Sequence, residues 1–178
     1  MNLALIGYRG TGKTTIARLL AERLHWQWVD LDARIEQTAG CSIAEIFQRS
    51  GEPEFRRIES EVLAGHVGLD RTILATGGGI ILAPNNREQL AKVSAVVWLT
   101  APAATLWQRI QGDAISRSQR PNLTSQGGLA EIEHLLDVRT PLYRQCATLE
   151  VDTSSRAPEE VAAEIVQRLN LVASPEPA

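Results

Sequence analysis

Cysteine is scarce: Cys41 and Cys146 are the only two in 178 residues, and they lie far apart in no metal-ligand spacing. The three histidines, His25, His66 and His134, do not cluster with them, so a zinc site is not expected. Apolar runs long enough for a membrane span are missing, and the N-terminus lacks the segments of a signal peptide. The expectation is a cytoplasmic protein with reduced thiols and no membrane partner. Charge is nearly balanced: 18 basic against 21 acidic residues give a net charge of −3, which disfavours a nucleic-acid platform. No internal repeat or interdomain linker is visible. One domain over residues 1–172 is expected, with a disordered polar tail at 173–178. No apolar oligomerisation stripe stands out, so a monomer is expected.

What is present is an alternation of short apolar runs with longer helical patterns. Leu3–Ile6, Trp26–Asp30, Thr72–Thr76, Ala95–Leu99 and Thr148–Asp152 read as strands. Ile16, Leu19, Leu20 and Leu24 recur at helical spacing, as do Phe55, Ile58, Val62 and Leu63. His25 falls at the end of the first of these helices. Ser42 with Glu45 has capping-box spacing for a helix, and Pro158 opens the last one. The pattern predicts a three-layer α/β sandwich around a mainly parallel five-stranded sheet. Ligands of such sheets bind beyond the carboxyl ends of the strands.

Gly7-Tyr8-Arg9-Gly10-Thr11-Gly12-Lys13-Thr14 fits the phosphate-loop pattern and has an apolar strand before it and an amphipathic helix after it. Its glycines let backbone N–H groups converge on phosphate oxygens at a helix N-terminus. Lys13 can reach the β- and γ-phosphates of a nucleotide, and the Thr14 hydroxyl can ligate Mg²⁺. Gly10, Thr11, Gly12 and Thr15 complete the candidate nucleotide site. A phosphate loop alone does not separate GTPases, motor ATPases and metabolite kinases. Here no Asn/Thr-Lys-x-Asp or Asp-x-x-Gly motif occurs, and the third strand runs into glycines rather than an aspartate. A switch GTPase is disfavoured.

Acidic groups stand instead at the end of the second strand. Asp30 and Asp32 share a face if the extended backbone continues, one for magnesium and one for a substrate hydroxyl; a helix cap is the alternative. Arg56 is either a solvated surface arginine or an anion-gripping group. Gly77-Gly78-Gly79 is a costly choice for a mere turn, and suits a backbone lying against a ligand.

In combination and in order, these motifs resemble the shikimate kinase family. The resemblance runs over about residues 3–165 and includes Ser42-Ile43-Ala44-Glu45-Ile46-Phe47, Gly51-Glu52, Phe55-Arg56-x-x-Glu59, Arg120-Pro121 and Arg139-x-Pro141-Leu142-Tyr143. It implies ATP-dependent phosphorylation of a shikimate hydroxyl, with Mg²⁺ as cofactor and with ATP and shikimate as partners. By the same resemblance, Asp32 bonds the shikimate hydroxyls and is the candidate base, and Asp30 goes with magnesium beside Thr14. Arg56, Arg139 and the triplet Gly77, Gly78 and Gly79 hold shikimate, supported by Ile43, Phe55 and Glu59 in a segment of about 32–62. Arg120 matches the lid arginine that approaches the transferring phosphate. Arg109 and Pro158 align, more loosely, with the adenine-sandwiching pair. The lid reads Arg120-Pro121-Asn122-Leu123 where the family often has leucine after proline.

The chemistry suits these residue types. Guanidinium forks grip a carboxylate bidentately and so orient the ring that bears it. Phosphoryl transfer asks mainly for alignment and charge neutralisation, which Lys13, Mg²⁺ and Arg120 would supply. The polar stretch from Gly112 to Gly128 is expected to be a lid that excludes water. Two rivals remain: a kinase of another hydroxylated metabolite, such as gluconate or a nucleoside monophosphate, and a nucleotide-binding regulator without catalysis.

Overall fold

The computed structural model describes residues 1–112 and 128–173. Five strands, β1 (Leu3–Ile6), β2 (Gln27–Asp30), β3 (Thr72–Ala75), β4 (Ala95–Thr100) and β5 (Leu149–Asp152), form one sheet in the order β2-β3-β1-β4-β5. Every pairing in it is parallel. The expected strands match within one residue at either end, and Trp26 falls just outside β2. Among the described residues the helices are α1 (Lys13–Leu24), α2 (Leu31–Ala39), α3 (Ile43–His66), α4 (Pro84–Leu90), α5 (Ala103–Gly112), α6 (Gly128–Cys146) and α7 (Pro158–Arg168).

Alternation along the buried strands sorts side chains to the two faces of the sheet. Leu3 and Leu5 of β1 join Ile16 and Leu20 of α1 and Val161 and Ile165 of α7 in one apolar cluster. Ala4 and Ile6 point the other way, into a cluster with Leu31, Phe55, Leu63 and Tyr143 from α2, α3 and α6. A third, smaller cluster of Tyr8, Leu106, Ile110 and Ile132 seats α5 and α6 beneath the phosphate loop.

Two local features position the site. Ser42 and Glu45 form the expected capping box at the start of α3, the Ser42 hydroxyl accepting the Glu45 N–H and the Glu45 carboxylate accepting the Ser42 N–H. Further along, α3 breaks at Gly51, whose φ of 76° is left-handed, so the chain turns before Phe55 and Arg56. The helices between residues 84 and 146 are not among the expected elements, although Leu129, Ile132, Leu135 and Leu136 recur at helical spacing in the longest of them, α6. Its inner face also buries Glu131 and Arg139 beside Ile132 and Tyr143, which interrupts that apolar period. Arg120 and most of the expected lid lie outside the described residues, as does nearly all of the expected tail.

Candidate active site

The phosphate loop follows the central strand β1, and the glycine triplet follows its neighbour β3. Their connecting helices pack on opposite faces of the sheet, with α1 on one and α4 on the other. This divergence opens a crevice between the two strand ends, where ligands of such folds sit. Thr76 ties the loops together at its base, its N–H and hydroxyl both donating to the Leu5 carbonyl (3.2 and 2.9 Å). The crevice is a cleft of about 380 Å³, lined by Lys13, Thr14, Asp30, Asp32, Gly78 and Arg109 among others.

On the loop side, Gly10 and Gly12 have left-handed φ angles of 84° and 86°, and Gly12 leads into α1. Lys13 is buried, and its Nζ donates to the carbonyls of Gly7 and Tyr8 (2.8 Å each). The ammonium is thus held inside the curl of the loop. Thr11 is buried and closes the loop by donating to the Tyr8 carbonyl (2.8 Å); Gly10, Gly12, Thr14 and Thr15 line the cleft. Arg109, on α5, braces the loop from outside. Its guanidinium donates to the Gly10 carbonyl (3.3 Å) and to the hydroxyl and carbonyl of Thr153, beyond β5. Pro158 sits exposed in the first turn of α7 and does not line the cleft.

Asp30 and Asp32 meet the cleft in a different way from the extended pair expected. Backbone extension ends at Asp30, which is the N-cap of α2; Asp32 is already in the first helical turn. Asp30 Oδ1 accepts the N–H groups of Asp32 (3.0 Å) and Ala33 (3.4 Å), while Oδ2 accepts the Thr14 hydroxyl (3.1 Å). The helix cap is therefore present, and the same side chain also meets the phosphate loop. One carboxylate oxygen holds the helix, and the other stands beside Thr14.

At Gly78 and Gly79 the packing leaves little room for a side chain. A Cβ at Gly78 would stand 3.3 Å from the backbone nitrogen of Arg9, and one at Gly79 would stand 2.6 Å from Arg56 Nη2. Arg56 lies over the Phe55 ring and is held by two carboxylates. Its Nη1 donates to Glu59 (2.7 Å), and its Nε and Nη2 donate to Glu52 (3.1 and 3.0 Å). Burial alone would discourage its charge, but Glu59 and Glu52 outweigh that and raise its pKa above the ordinary arginine value. Arg139 reaches the triplet from α6, its Nη1 donating to the Gly78 carbonyl (3.4 Å). Tyr143, one turn on, donates its hydroxyl to the same carbonyl. Ile43 lines the cleft at the start of α3; Phe55 and Glu59 are each 1% exposed behind it.

Most residues singled out from the sequence thus converge on one cleft and its wall. Arg56, Gly79 and Arg139 stand behind the cleft's inner lining, and Pro158 stands apart from it. Two contributors are not evident from the sequence: Tyr143, which belongs to a motif but carries no obvious role there, and Glu131. The i, i+4 spacing of Arg139 and Tyr143 on one helix face was the available signal.

A parallel sheet in this strand order, with a phosphate loop after its central strand and a polar cleft before it, has the P-loop kinase fold. Comparison with known proteins narrows the class. The family model described as shikimate kinase matches residues 9–170. A shikimate kinase of Symbiobacterium thermophilum is 41% identical over 169 residues, covering 95% of this chain and 96% of the relative. One from Rhodopirellula baltica is 43% identical over 166 residues, covering 93% and 89%. Among solved structures, shikimate kinase from Acinetobacter baumannii in complex with shikimate superposes with a TM-score of 0.88 at 37% identity, covering 95% of this chain and 92% of that one. A gluconokinase from Sinorhizobium meliloti shares the fold alone, at a TM-score of 0.55 and 11% identity. The chain belongs to the shikimate kinase family.

Proposed function

We propose that the protein transfers the γ-phosphoryl group of ATP to a hydroxyl of shikimate, giving shikimate 3-phosphate and ADP, within the cleft between the phosphate loop and the glycine triplet. One observation carries this reading: the family match spans residues 9–170, and inside it Lys13, Thr14 and Asp32 open onto a single cleft. The protein is accordingly a phosphotransferase of aromatic amino acid biosynthesis with an alcohol as acceptor.

The new bond joins the acceptor oxygen to the γ-phosphorus as the bond from that phosphorus to the bridging oxygen breaks. Such transfer is loose, so it rewards alignment and charge neutralisation more than a strong base. Asp32 accepts a hydrogen bond from the reacting hydroxyl, aiming its lone pair, and takes the proton late. Lys13 and the loop N–H groups neutralise the phosphates. Arg56, Arg139 and the backbone of Gly77 to Gly79 hold the ring, with Ile43, Phe55 and Glu59 behind them. Arg120, in a lid over about 112–128, adds a cation to the transferring group. Arg109 and Pro158 flank the adenine.

The donor set beside the loop fits Mg²⁺. Thr14 and Asp30 present two hard oxygens 3.1 Å apart, and no cluster of three or more carboxylate, histidine or cysteine ligands occurs among the described residues. That suits an ion which takes one or two protein ligands and completes its shell with water and phosphate. When bound with ATP, Mg²⁺ draws charge from the phosphate oxygens. Balanced charge and two unpaired cysteines support a cytoplasmic monomer that binds neither nucleic acid nor membrane.

ADP release with ATP and Mg²⁺ tests the reading, with shikimate, quinate, gluconate, a nucleoside monophosphate or no acceptor. Stimulation by shikimate, cut at least about 100-fold by Asp32→Asn, is expected. Stimulation by gluconate or a nucleotide in place of shikimate would discard the substrate, and bound ATP with no stimulation would favour a regulator.

A further inference from the structure

We infer that Arg9, inside the phosphate loop, is a further guanidinium for the acceptor's carboxylate and works beside Arg139. The inference rests on the reading of the cleft as a shikimate site, and it gives a role to a loop residue that phosphate binding does not use. The loop binds phosphate through backbone N–H groups, Lys13 and Thr14, so the Arg9 side chain is not needed there.

Its surroundings point elsewhere. Arg9 lines the cleft, yet its side chain leans to α6, where Nη2 approaches Glu131 Oε1 at 3.5 Å. Its Nε is buried and has no hydrogen-bond partner among the described residues. Arg139 is in the same condition: its Nε is buried without a partner as well. Both guanidinium groups lie against the Tyr8 ring, with their carbons 5.9 and 5.6 Å from its centroid. Gly78 adjoins both residues: its carbonyl accepts from the Arg139 guanidinium, and its Cα faces the backbone nitrogen of Arg9. Arg56, in contrast, already has Nε, Nη1 and Nη2 committed to Glu52 and Glu59.

A buried donor left unpaired is costly, and a guanidinium more so, which makes two of them in one wall a place for an anion. The charges agree. In this wall Arg9, Arg56 and Arg139 face two carboxylates that are 1% exposed, Glu59 and Glu131, while Glu52 is 58% exposed and screened by solvent. One positive charge is left over among the described residues, and a monoanionic carboxylate balances it. Without Arg9 the wall would be neutral. Tyr8 remains a neutral spacer: burial pushes its phenol pKa up, more than Arg9 and Arg139 pull it down.

The test compares steady-state kinetics of wild type, Arg9→Met and Arg9→Lys with shikimate and with its uncharged carboxamide. Arg9→Met should raise the KM for shikimate at least about tenfold, more than it changes kcat or the KM for ATP. The same variant should cost the carboxamide less than about threefold, and Arg9→Lys should recover part of the loss. Because Glu131 is buried, the double variant Arg9→Met/Glu131→Gln is assayed too, so that an uncompensated carboxylate is not mistaken for lost binding. An equal penalty on both acceptors, or recovery of shikimate KM in the double variant, would make Arg9 a brace for Glu131 and overturn the inference. A wild type inactive on shikimate would sink the substrate reading, whereas an active wild type matched by Arg9→Met would sink this inference alone.

Discussion

At the scale of single residues, the site depends on who occupies whose space. Gly79 has no left-handed backbone requirement; it is glycine because the Arg56 guanidinium occupies the volume of its missing Cβ. An arginine tip can ordinarily move aside at little cost. Here Glu52 and Glu59 hold the tip from two directions, and Glu59 is buried, so moving it breaks charge-assisted bonds. Gly79→Ala should therefore act through Arg56. A loss of about 2 kcal/mol in acceptor binding corresponds to a rise of about 30-fold in the KM for shikimate. The KM for ATP should change much less, since Lys13 and Thr14 lie on the other side of the cleft. A shikimate KM within twofold of wild type would mean that Arg56 relaxes freely.

At the scale of elements, α2 and the phosphate loop share one carboxylate. Asp30 caps α2 with Oδ1 and meets Thr14 with Oδ2, so helix placement and the candidate magnesium site are not separable by deleting the side chain. They are separable by chemistry. Asparagine caps a helix about as well as aspartate but carries no charge. Asp30→Asn should leave the urea unfolding midpoint nearly unchanged while raising the Mg²⁺ concentration for half-maximal activity several-fold. Asp30→Ala should show the same Mg²⁺ effect and lose about 1 kcal/mol of stability besides. Equal Mg²⁺ dependence in wild type and Asp30→Asn would remove Asp30 from the metal site and leave it as a cap.

At the scale of the whole molecule, the nucleotide should behave as part of the fold. The loop, α1, α5 and the turn after β5 are joined through Lys13 and Arg109, so a ligand in the loop bears on elements from both ends of the chain. ATP with Mg²⁺ at a hundred times its Kd adds about 2.7 kcal/mol. For a chain of this size that raises Tm by about 5–10 °C. Lys13→Ala should abolish most of this ligand-induced increment in a thermal-shift experiment, whatever it does to the unliganded Tm. An increment equal to that of wild type would show that the backbone cradle binds ATP without the lysine.

Much of this is legible in the amino-acid sequence alone. The strands can be placed to within a residue, because β1, β3 and β4 are short apolar runs, β5 alternates apolar with acidic residues, and each strand ends at a glycine or a polar residue. The phosphate loop can be read from spacing, because a backbone cradle needs glycine at fixed intervals. The capping box of α3 likewise needs only residues three apart. What local sequence does not decide is how segments far apart in the chain meet. The apolar period of α6 is interrupted because its inner face also carries Glu131 and Arg139, which meet groups from the loop and the glycine triplet. Whether Asp30 stays in an extended strand or turns into a helix cap hangs on two N–H groups that need an acceptor. The anion-facing pairing of Arg9 with Arg139 joins residues 130 positions apart in sequence. Composition and spacing determine which elements form and which side chains are available. Only the packed sheet decides which of them share a wall, because that depends on volume and charge balance between segments the sequence keeps apart.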